Sequence, residues 1–443
     1  MTLEQNHNSE QPWSGRRLHF VGIGGAGMSG LAVVAQALGA DVSGSDRAES
    51  PYMQRLREHR IEPGIGHGAE NVPAGAEVVF STAIAAENPE RGTGAPELHR
   101  ADLLAEIAAL RRCVAVTGTH GKTTTSGMIV HVLRGCGMDP SYVIGGELRD
   151  TDSNAAWGSG EWIVIEADES DRSLLKLDPE IAVLTNAELD HHSTYASRID
   201  LEHTLRAFMA RAGARAVVWN RPALIALCPP GAVTFDAPEP ILEPAGARFQ
   251  WHGLEVALAL PGAHNALNAA GALTASALAG AEPERAVSAI ADFRGARRRF
   301  ELLGQTSAGV PVYDDYAHHP TEVAAAIAGA RTLRPRRLVA VFQPHLYSRT
   351  LALARQFGIA LARADIAVVV DVYAARERAD DYPGVDGRLV AAATADAASG
   401  RRVAWLPRFE EAGRFLRATL RSSDLCLVMG AGDVDALARA LVA

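Results

Sequence analysis

The sequence predicts an α/β protein of three domains. Three observations predict it: a length of 443 residues, apolar strands that each run into a glycine-rich or acidic tip, and helical segments that follow those tips. The length is about three times the ~150 residues of a common domain. A hydrophobic share of 48% against 21% charged residues is that of a chain able to bury a core, and it excludes global disorder.

Residues 1–16 are polar and read as a flexible tail. From Leu18 the strand LHFVGI, a glycine loop, the helix SGLAVVAQAL and a second strand ending at Asp46 form a βαβ opening. EVVFST and a helix near 101–110 complete a Rossmann-like domain over 17–112. A second βα unit begins with CVAVTGTHGKTTT, and WIVIEAD and IAVLTNAELD follow as strands with polar, acid-rich tips. The Pro- and Gly-rich stretch 229–261 predicts an antiparallel β excursion before a helix opening at His264, within a central P-loop-like domain of mostly parallel sheet over 113–305. The strands RRLVAVFQPH, IAVVVDVY, RVAWLP and LCLVMGAGD predict a third, Rossmann-like domain over 306–443.

The balance of 43 Lys plus Arg against 52 Asp plus Glu gives a net charge of -9, and no basic block is present to neutralise a nucleic-acid backbone. Nucleic acid is therefore excluded as an expected partner. Cys113, Cys136, Cys228 and Cys426 have neither disulfide-framework nor zinc spacing, which fits a reducing cytoplasm. No stretch reaches the roughly 18 apolar residues of a membrane span, and no signal peptide is recognisable.

In GIGGAGMSG, Gly22, Gly24 and Gly27 keep a GxGxxG spacing between strand and helix. Glycines there let the backbone approach a diphosphate, and the free N–H groups of the helix start bind the anion. Asp46 is placed to reach a ribose hydroxyl. In TGTHGKTTT, the G-x-x-G-K-T run of Gly118, Gly121, Lys122 and Thr123 is shorter than the usual P-loop but uses the same physics. Backbone N–H groups cradle phosphates, Lys122 neutralises them, and the Thr123 hydroxyl can ligate magnesium. The acidic tip EADESD, Glu166 to Asp171, reads as a magnesium site when set opposite such a loop, and His191 or His192 can serve a second ion. A dehydrogenase needs only the first loop and a plain ATPase only the second. An enzyme that uses ATP on a nucleotide-linked substrate needs both.

The run HFVGIGGAGMSG, VSGSD, GTHGKTTT, IGGEL, EADESD, PGAHNALNAAGA, RRRFELLG, DDYAHHPTE, FQPHLYSRT and DVYAA resembles the Mur ligase family over nearly the whole chain, from about Leu18 to Ala443. The resemblance implies ATP-dependent ligation of L-alanine to the lactyl carboxylate of UDP-N-acetylmuramic acid. It implies a UDP-sugar site of Gly22, Gly24, Gly25, Ala26, Gly27, Met28, Ser29, Ser45, Asp46 and His67 in the first domain. ATP would meet Gly118, Thr119, His120, Gly121, Lys122, Thr123, Thr124, Asn265, Asn268, Arg299 and Asp315, with Mg²⁺ on Thr123, Glu166 and His191. The catalytic set implied is Lys122, Glu166, His191, Arg299 and Asp315. His191 is preferred to His192 by the family's Asp-His-x-Asp pattern from Asp190, although Ser193 replaces its last Asp. In the third domain His345 would orient the amino acid and Arg349 would take its carboxylate, while Leu346 stands where Arg is usual and Arg376 where Gly is usual. The partners implied are small molecules only, and the chain is expected to be cytoplasmic and a monomer or weak homodimer. A murein tripeptide recycling ligase, a later stem-peptide ligase, a nicotinamide oxidoreductase and a non-catalytic nucleotide-binding regulator are the competing readings.

Overall fold

The computed structural model describes residues 11–190, 194–244 and 246–443. They form two compact units: one of residues up to Ala187 with Glu202–Phe235 and Gly271–Ala286, the other of Glu188–Leu201, Asp236–Ala270 and Val287–Ala443.

The first unit holds two sheets. Strands β1 (Arg17–Val21), β2 (Asp41–Asp46), β3 (Gly64–Ile65), β4 (Glu77–Phe80) and β5 (Glu97–His99) pair in parallel in the order β3-β2-β1-β4-β5. The reversal of strand order at β1 puts a crevice at its carboxyl end, where the glycine loop leads into helix α1 (Ala26–Ala37). Leu18, Phe20 and Val21 of β1 are fully buried, as are Leu31, Ala32, Val34 and Ala35 of α1, so the loop between them hangs on packed supports.

The second sheet contains β6 (Arg112–Thr117), β7 (Ser141–Leu148), β8 (Ser153–Ala156), β9 (Trp162–Glu166), β10 (Ile181–Leu184), β11 (Ala216–Trp219) and β12 (Val233–Phe235) in the order β12-β11-β10-β6-β9-β7-β8. Only β8 runs antiparallel, at the edge. Strands β6, β9 and β10 are continuous apolar runs because both faces are covered, the pattern of a buried parallel sheet. Their carboxyl ends bring the loop after Thr117, Glu166 at the end of β9, and Thr185 and Asn186 after β10 to one edge.

The second unit carries the expected antiparallel excursion as a three-stranded meander of β13 (Ile241–Glu243), β14 (Gly246–Trp251) and β15 (Leu254–Leu258), followed by a helix from Ala263. Its main sheet consists of β16 (Glu301–Gln305), β17 (Pro311–Asp315), β18 (Arg337–Phe342), β19 (Ile366–Val369), β20 (Arg402–Trp405) and β21 (Asp424–Met429), ordered β16-β17-β21-β18-β19-β20. All neighbours are parallel except β16 with β17. Strand β16 lies before residue 306 in sequence yet pairs in this sheet, because Glu301 to Gln305 line up on Asp314 to Pro311. Its short, half-polar ELLGQ run carries little strand signal, and the edge position tolerates that.

Candidate active site

The glycine loop is built for close approach. Gly22 has φ +76°, a left-handed conformation that a side chain disfavours. A Cβ on Gly24 would lie 2.8 Å from Ser50 Oγ, 2.9 Å from Asp46 Oδ2 and 3.1 Å from Met53 Cγ. Asp46 accepts a hydrogen bond from Gly24 N at 2.9 Å, so this carboxylate braces the loop with one oxygen. Gly25 is exposed, and Ala26 and Gly27 are half-buried. Met28 and Ser29 are buried and face packing rather than solvent, with the Ser29 hydroxyl donating to Ala26 O at 3.0 Å.

Ser45 is also fully buried. Its hydroxyl donates to Glu90 Oε2 at 2.6 Å and lies 2.9 Å from His67 Nδ1. Glu90 further accepts from Asn71 Nδ2 at 2.7 Å and Gly68 N at 3.2 Å. Burial alone would raise the Glu90 pKa, but His19, Ser45, Asn71 and Gly68 outweigh it and hold the group down at about 2. A fully ionised carboxylate thus pins the His67 segment to β2, and no motif announced Glu90 in the sequence. Arg100 is another residue the motifs did not supply: its Nη1 would lie 3.1 Å from a Cβ on Gly27, which sets a guanidinium against the glycine loop.

The phosphate loop follows β6. Gly118 (φ +126°) and Gly121 (φ +79°) turn the chain into helix α2 (Lys122–Gly135). A Cβ on Gly118 would strike Thr185 Oγ1 and the Asn186 backbone. The strand β10 tip holds the loop from beneath: Asn186 Oδ1 accepts from His120 N at 2.9 Å, while Thr185 Oγ1 and Asn186 Nδ2 donate to His120 O at 2.6 and 2.9 Å. Asn186 was invisible to motif reading because its work is on the backbone.

Lys122 Nζ donates to Gly118 O at 2.8 Å and meets Glu169 Oε2 at 2.8 Å. Burial opposes its charge, but Glu169, Asp168 and Glu166 prevail and raise its pKa above the usual lysine value. The ammonium is charged and aimed back into its own loop. Thr123 and Thr124 are buried, and Thr119 is too. Glu166, half-exposed, accepts from Gly145 N at 2.6 Å. A hydroxyl from Thr123 and a carboxylate from Glu166 are hard oxygen donors, the set that suits Mg²⁺ alongside phosphate oxygens. His191, expected as a further ligand, lies outside the described residues.

The second unit gathers Asn265, Asn268, Arg299, Asp315, His345 and Arg349. Asn265 is buried and donates from Nδ2 to Pro261 O at 2.8 Å, while Asn268 is half-buried on the next turn. Asp315, at the end of β17, accepts from Ala317 N at 2.7 Å and Phe300 N at 2.8 Å. Burial lifts its pKa to about 6 against the opposing pull of Arg299 and those N–H groups. Its neighbour Asp314, missed in the sequence, is fully buried beside Arg298 (3.2 Å), and burial raises it to about 7. Arg299 is 3.9 Å from Glu322 and lies over the Tyr316 ring at 5.0 Å.

Arg349, expected to take the amino acid carboxylate, is buried and paired. Its guanidinium is 3% exposed and engages Asp190 through Nε–Oδ1 at 2.9 Å and Nη2–Oδ2 at 3.0 Å, with Nη1 2.9 Å from His345 Nδ1. A guanidinium buried this far needs a buried carboxylate, and Asp190 supplies it. His345 stacks on Tyr373 at 5.8 Å and meets His318 edge-on at 5.9 Å. Burial first, then neighbouring positive groups, lower His318 to about 4 and His345 to about 3, so both are neutral near pH 7.

Two phosphate-cradling loops, one with a charged lysine and an acidic tip, on successive parallel sheets define a nucleotide-using α/β enzyme. Three family models match consecutive segments: "Mur ligase family, catalytic domain" over residues 17–112, "Mur ligase middle domain" over 116–228 and "Mur ligase, glutamate ligase domain" over 298–432. The chain belongs to the Mur ligase family, whose members are ATP-dependent. It is 42% identical over 448 residues to the UDP-N-acetylmuramate--L-alanine ligase of Rubrobacter xylanophilus, covering 96% of this chain and 99% of that one. It is 44% identical to the Kineococcus radiotolerans enzyme of the same name, covering 94% of each. Among solved structures, the UDP-N-acetylmuramate-alanine ligase of Thermotoga maritima superimposes with a TM-score of 0.82 at 27% identity, covering 96% of this chain and 98% of that one. The murein peptide ligase of Psychrobacter arcticus shares the three-domain fold at a TM-score of 0.69 and 23% identity, over 96% and 98% of the two chains.

Proposed function

We propose that this chain joins L-alanine to the lactyl carboxylate of UDP-N-acetylmuramic acid with ATP, in peptidoglycan biosynthesis. The observation that carries the reading is the coexistence of a diphosphate-type glycine loop and a phosphate loop with Lys122 in a chain so similar to UDP-N-acetylmuramate--L-alanine ligases. The γ-phosphoryl group passes from ATP to the muramyl carboxylate, giving ADP and an acyl phosphate. The alanine amine then attacks the acyl carbon, and the tetrahedral intermediate collapses with loss of phosphate, forming the amide. Residues 17–112 bind the UDP-sugar, 113–305 bind ATP, and 306–443 serve the amino acid.

Lys122 holds the β and γ phosphates, where its charge stabilises the transferring group. Thr123 and Glu166, with His191, would hold Mg²⁺, which when bound neutralises phosphate charge. Asn265, Asn268, Arg299 and Asp315 carry ATP-facing roles, and His345 orients the amino acid. The fit of oxygen donors to Mg²⁺ and the charged state of Lys122 support these assignments. The chain acts in the cytoplasm as a monomer or weak homodimer; among the described residues no helix is long and apolar enough to cross a membrane. Phosphate release is expected only when UDP-N-acetylmuramic acid, ATP and L-alanine are present together. In a panel that includes glycine, serine and the stem tripeptide, preference for the tripeptide would overturn the alanine assignment.

A further inference from the structure

A glycine loop between a strand and a helix ordinarily turns its N–H groups toward an anion. The loop that leaves β21, Gly430 to Asp433, offers carbonyls instead. Arg298 Nη2 donates to Gly430 O at 2.8 Å and Nη1 to Gly432 O at 3.0 Å. Gly430 N donates to Asp315 O at 3.0 Å, Val434 N donates to Gln343 Oε1 at 3.2 Å, and a Cβ on Gly432 would strike that same oxygen. This third glycine loop therefore has an arginine of the protein itself as its ligand.

Arg298 is held on its backbone as well. Its N donates to Glu301 Oε2 at 2.8 Å, its O accepts from Tyr316 N at 2.7 Å, and its Nε donates to Asp314 Oδ2 at 3.2 Å. Asp314 is fully buried, and among the described residues its side chain bonds to Arg298 alone. Arg298 (φ +57°) and Phe300 (φ +51°) are both left-handed, so Arg299 rides on a turn whose two flanks are strained. Phe300 is fixed in turn through its N, which donates to Asp315 Oδ2 at 2.8 Å, and by its ring, 4.8 Å from that of Tyr313. Side-chain-bearing residues keep such a backbone only where their surroundings over-determine it, and such strain gathers where a functional group must be aimed. The group carried here is Arg299, over the Tyr316 ring and 3.9 Å from Glu322.

We propose that Arg298, gripped by Asp314 and by the carbonyls of the loop after β21, is a positioning residue that aims Arg299 at ATP and acts only through it. The proposal rests on the ATP-facing reading of Arg299 given above. Three acceptors around one planar fork fix its rotation as well as its place, which the point charge of a lysine does not reproduce.

The test is a cycle of Arg298→Lys, Arg299→Ala and the double variant in the full chain. It is read by calorimetric titration with a non-hydrolysable ATP analogue and by phosphate release with ATP, UDP-N-acetylmuramic acid and L-alanine. Arg298→Lys should weaken analogue binding and lower kcat/KM for ATP by about ten- to a hundredfold, the effect of misplacing a positioned group by roughly 1 Å. The KM for UDP-N-acetylmuramic acid should stay unchanged. The double variant should be no worse than Arg299→Ala alone, because the group to be aimed is gone. Losses that multiply in the double variant, unchanged ATP binding in a folded Arg298→Lys chain, or wild-type ATP binding in Arg299→Ala each overturn the proposal. Equal losses for ATP and the UDP-sugar with a lowered melting temperature assign Arg298 to the fold and overturn it too. Where Arg298→Lys does not fold, Asp314→Asn, which keeps the shape and removes the charge, takes its place in the cycle under the same criteria. A wild-type chain that binds the analogue yet joins no alanine overturns the ligase reading and leaves the positioning result standing, whereas one that does not bind the analogue overturns both.

Discussion

Lys122 Nζ lies 2.8 Å from a Glu169 carboxylate that is itself 1% exposed, and the same ammonium donates to Gly118 O in its own loop. The loop therefore holds its cation in place through protein contacts alone, and a phosphate entering the loop finds the charge already organised. Lys122→Ala should reduce turnover by a factor on the order of 10²–10³. It should also destabilise the fold by roughly 3–5 kcal/mol, because the buried Glu169 carboxylate loses the ammonium that faces it. Adding Glu169→Gln should recover much of the melting temperature and none of the turnover. Recovery of both, measured by thermal unfolding and phosphate release, would show that Lys122 serves only the fold.

Gly24 has no room for a side chain, since its Cβ position is hemmed by Ser50 Oγ, Asp46 Oδ2 and Met53 Cγ. Gly24→Val should push Asp46 and Ser50 apart and weaken UDP-sugar binding, while ATP binding at the loop after β6 is unaffected. Calorimetric titration with each nucleotide separates the two. Equal losses would mean that the two loops do not serve different ligands.

Much of the architecture could be read from the chain because its strands are continuous apolar runs that end in unusual tips, as in VAVTGTHGKT and IVIEADESD. Lys122, Gly24 and Asp46, which stand inside their own motifs, could be singled out as candidates for the same reason. Residues acting on backbone were not: Asn186 supports His120 from another strand, and Glu90 ties Ser45 to Asn71 from an unremarkable loop. Nor does sequence tell whether a cation is free. Arg349 sits in a strong motif, yet nothing in that motif announces its pairing with Asp190, a residue 159 positions away. Strand β16 escaped because an edge strand of five residues needs no apolar face.

The Arg349–Asp190 pair is 3% exposed on both sides, with two hydrogen bonds at 2.9 and 3.0 Å. Breaking it from either side takes the bidentate partner from a buried charge. Arg349→Met and Asp190→Asn should each cost roughly 3–5 kcal/mol in stability, and the double variant less than the sum. A double-mutant cycle by denaturant unfolding provides the check. Additive losses would mean that the two groups do not interact in solution.

Acid should destabilise the second unit through its histidines. His264, His318 and His345 are lowered, chiefly by burial, from 6.5 to about 4, 4 and 3. A histidine with a depressed folded pKa binds fewer protons folded than unfolded. Its contribution is therefore complete above pH 6.5 and is lost as pH falls through the folded values. Asp314 and Asp315 act in the opposite sense, since burial raises them from 3.8 to about 7 and about 6. Their contribution is complete below the unfolded value and is lost as pH rises through 6 to 7. His264→Gln, neutral at every pH, should lose less melting temperature than wild type between pH 7 and pH 4.5. Asp315→Asn leaves one backbone N–H unpaired and is less stable throughout, but its stability should fall less than that of wild type between pH 5 and pH 8. Melting temperatures recorded across both ranges decide the matter, and pH profiles parallel to that of wild type in both variants would refute the buried-titration account.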